Sequence, residues 1–204
     1  MTNNKALFLK WVKNLYYVQF ALLIGGVLAA IPLIGGVFKW VNAILTVGVV
    51  YILYKMAPTK DRYRKAAIFM GISVGVSLLS GFINVGIFSI AISICSLVGL
   101  YQEYCGHSEM LNGIDNALAK KWHSLFNWQI FGGVVLGILG APIVVLLGVV
   151  LLLDTNILTV VILILVTCFD AIIQIVYLSY LKRTREMYEA FPTNMEEGQT
   201  GDYI

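Results

Sequence analysis

Six long runs of apolar residues, parted by short polar breaks, fill the chain from Trp11 to Leu181. A helix that crosses the hydrocarbon core of a bilayer needs about 20 residues, with a range of about 17–25. Cutting the runs at polar clusters and at glycine and proline predicts spans over residues 12–30, 37–56, 66–83, 85–101, 126–153 and 157–181. Pro32 with the pair Gly35 and Gly36 reads as the first turn. Asn84 turns the second pair of spans, and Asp154, Thr155 and Asn156 turn the third. The expectation is an all-α integral membrane protein with six transmembrane helices arranged as three hairpins, in one polytopic domain over residues 1–185. Residues 186–204 are acidic and contain Pro192, Gly198 and Gly201, the composition of a disordered tail.

Between the fourth and fifth spans the period changes. Met110, Leu111, Ile114, Leu118 and Trp122 recur at helical spacing, while Glu109, Asn112, Asp115, Asn116 and Lys120 take the opposite face. This pattern predicts one interfacial amphipathic helix lying on the membrane, with Gly106 ending the fourth span and Ser108 capping the new helix. On that reading a charge placed at Leu111 or Leu118 is costly, whereas changing Asp115 on the wet face is nearly free.

Charge orients the spans. The break at 55–65 holds Lys55, Lys60, Arg62, Arg64 and Lys65 against Asp61, and Lys182, Arg183 and Arg185 follow the last span. Of the basic residues only Lys39 falls on the other side, so the positive-inside rule places both termini in the cytoplasm of a cell-membrane protein. Trp11, Tyr16, Tyr17, Tyr51, Tyr54, Tyr101, Tyr104, Trp122, Trp128, Tyr177 and Tyr180 fall near the same ends and read as an aromatic belt. The chain is 59% hydrophobic and 12% charged with a mean hydropathy of +0.86, against about 25% charged residues in soluble domains, so a water-soluble fold is excluded. The net charge of +3 resides in juxtamembrane breaks and carries no nucleic-acid signal.

Asp170 is the residue that asks for chemistry. It lies about a dozen residues from either end of its span, near the bilayer midplane at a rise of about 1.5 Å per residue. An Asp at that depth costs about 2.5–3.5 kcal/mol and must face protein or water. No Lys or Arg lies at a similar level. Gln174 sits one turn away on the same face, and Tyr177 continues the line. Gln19 and Gln129 enter their spans at a depth close to that of Gln174, so Asp170, Gln174, Gln19 and Gln129 are the candidate binding residues. They form either a polar vestibule or separate interhelical hydrogen bonds. Ser89, Ser93 and Ser96 make a further small polar stripe suited to packing or to a path.

Other chemistry is thin. The segment 102–123 holds both histidines with Glu103, Cys105 and Glu109, residue types that bind zinc, but at no familiar ligand spacing, so no metal or cofactor is expected. Cys95, Cys105 and Cys168 form no disulfide framework and are expected to be free thiols. No nucleophile–base pair, phosphate loop or paired carboxylates occur, and the reading leans away from an enzyme. It favours a small-solute or ion transport-related component with a polar site around Asp170. The alternative is a non-catalytic membrane assembly or regulatory protein acting through partners. The expected partners are the lipid bilayer and, through small-xxx-small faces such as Gly71 with Gly75, a second copy or another membrane protein.

Overall fold

A backbone in hydrocarbon can satisfy its N–H and C=O groups only by bonding within its own segment, so each long apolar run becomes a helix. The computed structural model describes residues 3–29, 35–80, 86–138 and 155–191. These form six helices: α1 Asn3–Ala29, α2 Gly35–Met56, α3 Asp61–Ser80, α4 Gly86–Leu111, α5 Asn116–Ile138 and α6 Thr155–Ala190. No strand occurs among the described residues. Among the described residues, four stretches are long and apolar enough to cross a membrane: Asn4–Ala29, Gly35–Met56, Phe88–Leu111 and Ile164–Ala190. The turns expected at Pro32 and Asn84, the 139–153 part of the fifth span, Asp154 and the tail from residue 192 lie outside the described residues.

Helix α1 begins well ahead of residue 12, because Lys5, Phe8, Val12, Leu15 and Gln19 recur every three or four positions and all are buried. Gly35 and Gly36 open α2 instead of forming a turn. Asp61 lies in the first turn of α3, where negative charge suits the helix dipole. The Lys65 ammonium bonded to its carboxylate, at 3.0 Å, holds Asp61 below its ordinary value. Helix α6 runs to Ala190, so the first residues of the expected tail are helical.

Each helix packs against its neighbours in sequence, and α6 returns to pack on α1, which closes the six into a ring. Helix α4 also touches α6 across it. The tightest packing lies at the end carrying the basic breaks, called the basic end below. There Phe8, Leu53, Met56, Tyr63, Leu111, Leu118, Trp122 and Leu181 are fully buried or nearly so. Elsewhere large aliphatic side chains such as Ile44, Ile72, Ile90 and Ile164 are exposed, as lipid-facing positions require.

The expected interfacial helix does not exist as a separate element. Helix α4 continues through Gly106 and Ser108 to Leu111, a turn occupies residues 112–115, and α5 starts at Asn116. Gly106 does not end a helix because its missing side chain makes room for the Tyr63 ring: an added Cβ would sit 2.9 Å from Tyr63 Cε1. The break falls instead at Gly113, whose φ of 83° is a left-handed conformation that favours glycine. The division into faces survives, with a different partner. Met110, Leu111, Leu118 and Trp122 are buried within the bundle, so protein and not lipid receives the apolar face.

Asp115 is not a free wet-face residue. Its Oδ1 accepts the Leu118 N–H at 2.9 Å, the bond of a helix N-cap, and its Oδ2 lies 3.7 Å from Arg183 of α6. Asp115→Ala is therefore expected to cost about 1 kcal/mol, and Asp115→Asn, which keeps the cap, much less. Denaturant melts of the purified variants test this; equal stability of the two would remove the cap. The aromatic belt also divides. Tyr17, Tyr51, Tyr54, Tyr101 and Trp128 are exposed, but Tyr104, Trp122 and Tyr177 point into the bundle because polar partners await them there.

Candidate functional site

Helical spacing puts Asp170, Gln174 and Tyr177 on one face of α6, with Asp170 exposed, Gln174 half-buried and Tyr177 buried toward the basic end. Asp170 lines a cleft of about 410 Å³. Leu22, Leu23, Gly26 and Val27 of α1 form one wall, Thr46 of α2 another, and Thr167, Ala171 and Gln174 accompany Asp170 on α6. A second cavity of about 200 Å³ adjoins it through Leu22, Thr46 and Gln174. This one is lined by the polar side chains of Gln19, Ser73 and Ser96 together with Val49, Met70, Val74 and Leu100. Polar groups from five helices thus line two neighbouring cavities that share Leu22, Thr46 and Gln174, and the cleft beside Asp170 opens to the outside of the bundle at the exposed Val27 and Thr167.

The hydrogen bonds show which of these groups are committed. Ser73 and Ser96 bond to each other at 2.6 Å, and Thr46 donates to the Asn42 carbonyl at 2.8 Å. Gln174 Oε1 and Asn42 Oδ1 are buried without a hydrogen-bond partner among the described residues. Buried acceptors are nearly always paired, so such atoms mark either strain or a place for a ligand. No Lys, Arg or His is among the described residues lining either cavity.

The four candidate residues divide three to one. Gln19 and Gln174 line the same cavity and Asp170 the adjoining one. Gln129 stands apart and accepts a hydrogen bond from the Tyr104 hydroxyl at 2.8 Å. Of the serine stripe only Ser96 turns inward; Ser93 is exposed and bonds back to the Ser89 carbonyl.

A second polar constellation lies toward the basic end. Glu103 and His107, one turn apart on α4, are both 0% exposed. Tyr177 of α6 donates to Glu103 Oε1, and the Tyr63 hydroxyl of α3 lies 3.0 Å from His107 Nδ1. His107 Nε2 is 3.8 Å from Glu103 Oε1, an ion-pair distance without a hydrogen bond. The imidazole stacks on Trp122 of α5 at 4.6 Å, and Trp122 Nε1 donates to Thr184 of α6 at 3.1 Å. Burial, reinforced by the Glu103 charge, pushes the Tyr63 phenol well above its ordinary value, so it stays a neutral hydroxyl. The cluster ties four helices together in a sealed space.

Sequence reasoning placed Glu103 and His107 among zinc-type residues and missed their pairing. The signal available was their i, i+4 spacing inside an otherwise apolar and aromatic context. Thr46 and Ser73 carried no signal, since hydroxyls on apolar helices are common. His123 is exposed and lines a separate cavity of about 430 Å³ at the basic end with Arg62, Cys105, Glu109 and Lys120. Arg62 is engaged there by Glu109 and Gln102, both at 2.9 Å. Among the described residues no three of His, Cys, Asp and Glu gather as metal ligands, and the three cysteines are free, with Cys105 buried. Comparison with protein-family models, with curated proteins and with solved structures gave no match to this chain.

Proposed function

We propose that this is a multi-pass cell-membrane protein of six spans in three hairpins, with both termini cytoplasmic, serving as a transport-related component for a small solute or ion. The observation that carries the reading is the cleft: Asp170, with Thr46 and Gln174, lines a cleft that adjoins a cavity lined by Gln19, Ser73 and Ser96. Ionisable residues inside a membrane mark substrate or ion pathways by default, and this one has a cavity at its side. Among the described residues, four stretches meet the length and apolarity of a span outright. The other two rest on α3, whose first turns carry the basic break, and on α5 with the apolar sequence that follows it. Both ends inside follows from the distribution of Lys and Arg.

The melting temperature of the purified protein against pH and cation concentration tests this reading. Wild type is expected to respond and Asp170→Asn to lose that response while folding normally. Superimposable curves for two folded proteins would reduce Asp170 to a structural carboxyl and remove the transport reading. An assembly or regulatory protein is then the reading that remains, working through the polar cavity at the basic end.

A further inference from the structure

We propose that the cleft beside Asp170 binds an organic monocation, an ammonium group carried on an aliphatic body. The assignment rests on the reading of Asp170 as a ligand site and adds the chemical class of what occupies it. Charge sets the sign. Asp170 is the one ionisable side chain among the described residues that line the cleft. An ionised carboxyl there repels an anion and gains nothing from a neutral solute, whereas it attracts a cation. A single carboxylate matches a single positive charge, whereas Ca²⁺ takes about 6–8 oxygen ligands and Mg²⁺ demands a near-ideal octahedron.

Size and lining then select an organic cation over a bare alkali ion. A volume of about 410 Å³ is far larger than an ion needs. It falls within the range of about 300–1,000 Å³ typical of small organic ligands. Leu22, Leu23, Val27 and Ala171 offer an ion no replacement for its hydration shell, but they give a hydrocarbon body an apolar wall. Gln174 Oε1, buried without a partner among the described residues and one turn from Asp170, supplies an acceptor for an ammonium N–H. An ammonium seated between the two satisfies the orphaned amide oxygen and the charge together.

The test is calorimetric titration of the full chain in nanodiscs with hexylammonium, hexanol, hexanoate and sodium ion as separate probes. Hexylammonium is expected to bind, with hexanol and hexanoate at least about tenfold weaker, a tenfold change being about 1.4 kcal/mol. Asp170→Asn should weaken hexylammonium binding by at least about tenfold. Gly26→Leu provides a second variant that leaves the carboxyl in place. Gly26 lines the cleft, and a Cβ there meets nothing within 4 Å, so the added side chain enters free space and should block the ligand without lowering the melting temperature. Equal binding of hexanol or hexanoate, or indifference to both substitutions, overturns the proposal. An Asp170-dependent response to sodium with none to hexylammonium overturns the organic cation and leaves a ligand site at Asp170. No Asp170-dependent response to any probe removes the site reading as well.

Discussion

Trp122→Ala is expected to destabilise the protein by about 3–5 kcal/mol, the range for removing a fully buried Trp. The indole is 0% exposed and stacks on His107 at 4.6 Å. It meets Tyr177 edge-on at 5.3 Å and Tyr180 at 5.7 Å, and its N–H bonds to Thr184 at 3.1 Å. The cavity left behind would border the His107 imidazole, so the loss of packing comes with loss of the apolar cover over it. Trp122→Phe should recover most of the packing and lose only the bond to Thr184, a cost of about 1 kcal/mol. Chemical denaturation of the purified variants, followed by tryptophan-independent circular dichroism, checks the order. An Ala variant as stable as the Phe variant would show that the basic end is not the stabilising core.

His107→Phe is the second large effect. Phenylalanine keeps the stack on Trp122 but removes both ring nitrogens, Nδ1 at 3.0 Å from the buried Tyr63 hydroxyl and Nε2 at 3.8 Å from Glu103 Oε1. Leaving the buried Tyr63 hydroxyl without its His107 partner costs about 1–3 kcal/mol. Glu103→Gln keeps an acceptor for Tyr177 and removes the charge, so the double variant should be more stable than the sum of the singles implies. A coupling energy of at least about 1 kcal/mol is expected from the cycle. Strict additivity would show that Glu103 and His107 do not interact across their 3.8 Å separation.

The sequence made some of this architecture legible and hid the rest for identifiable reasons. The run 37–56 became α2 with nearly the same bounds, because lipid solvation demands an apolar segment and little else competes to break it. The start of α1 was hidden by its own composition. Asn3, Asn4, Lys5 and Lys10 read as a polar lead-in, and only the spacing of Phe8, Val12 and Leu15 reveals a helix that packs on protein. Gly106 illustrates the opposite failure. Local rules read it as a helix stop, and the reason it is not one is a tyrosine on another helix. Asp170 stood out because charge in an apolar run is visible one residue at a time. Thr46 meets it in the cleft, and Gln19 lines the adjoining cavity, only through packing of α1 on both α6 and α2, which no local pattern encodes.

That closure has a consequence for how the protein is made. Contacts from α1 through α5 run between consecutive helices, so each can form as the next segment leaves the ribosome. The seam between α6 and α1 is different: it joins the two extremes of the chain, with buried Lys5 donating to the Phe191 carbonyl. The cleft beside Asp170 straddles this seam, with one wall from α1 and the carboxylate from α6. Until translation reaches the last helix, the first half of that cleft is an unfinished surface facing lipid. The acid enters the bilayer last, into a partner wall that has been waiting since the first span was inserted.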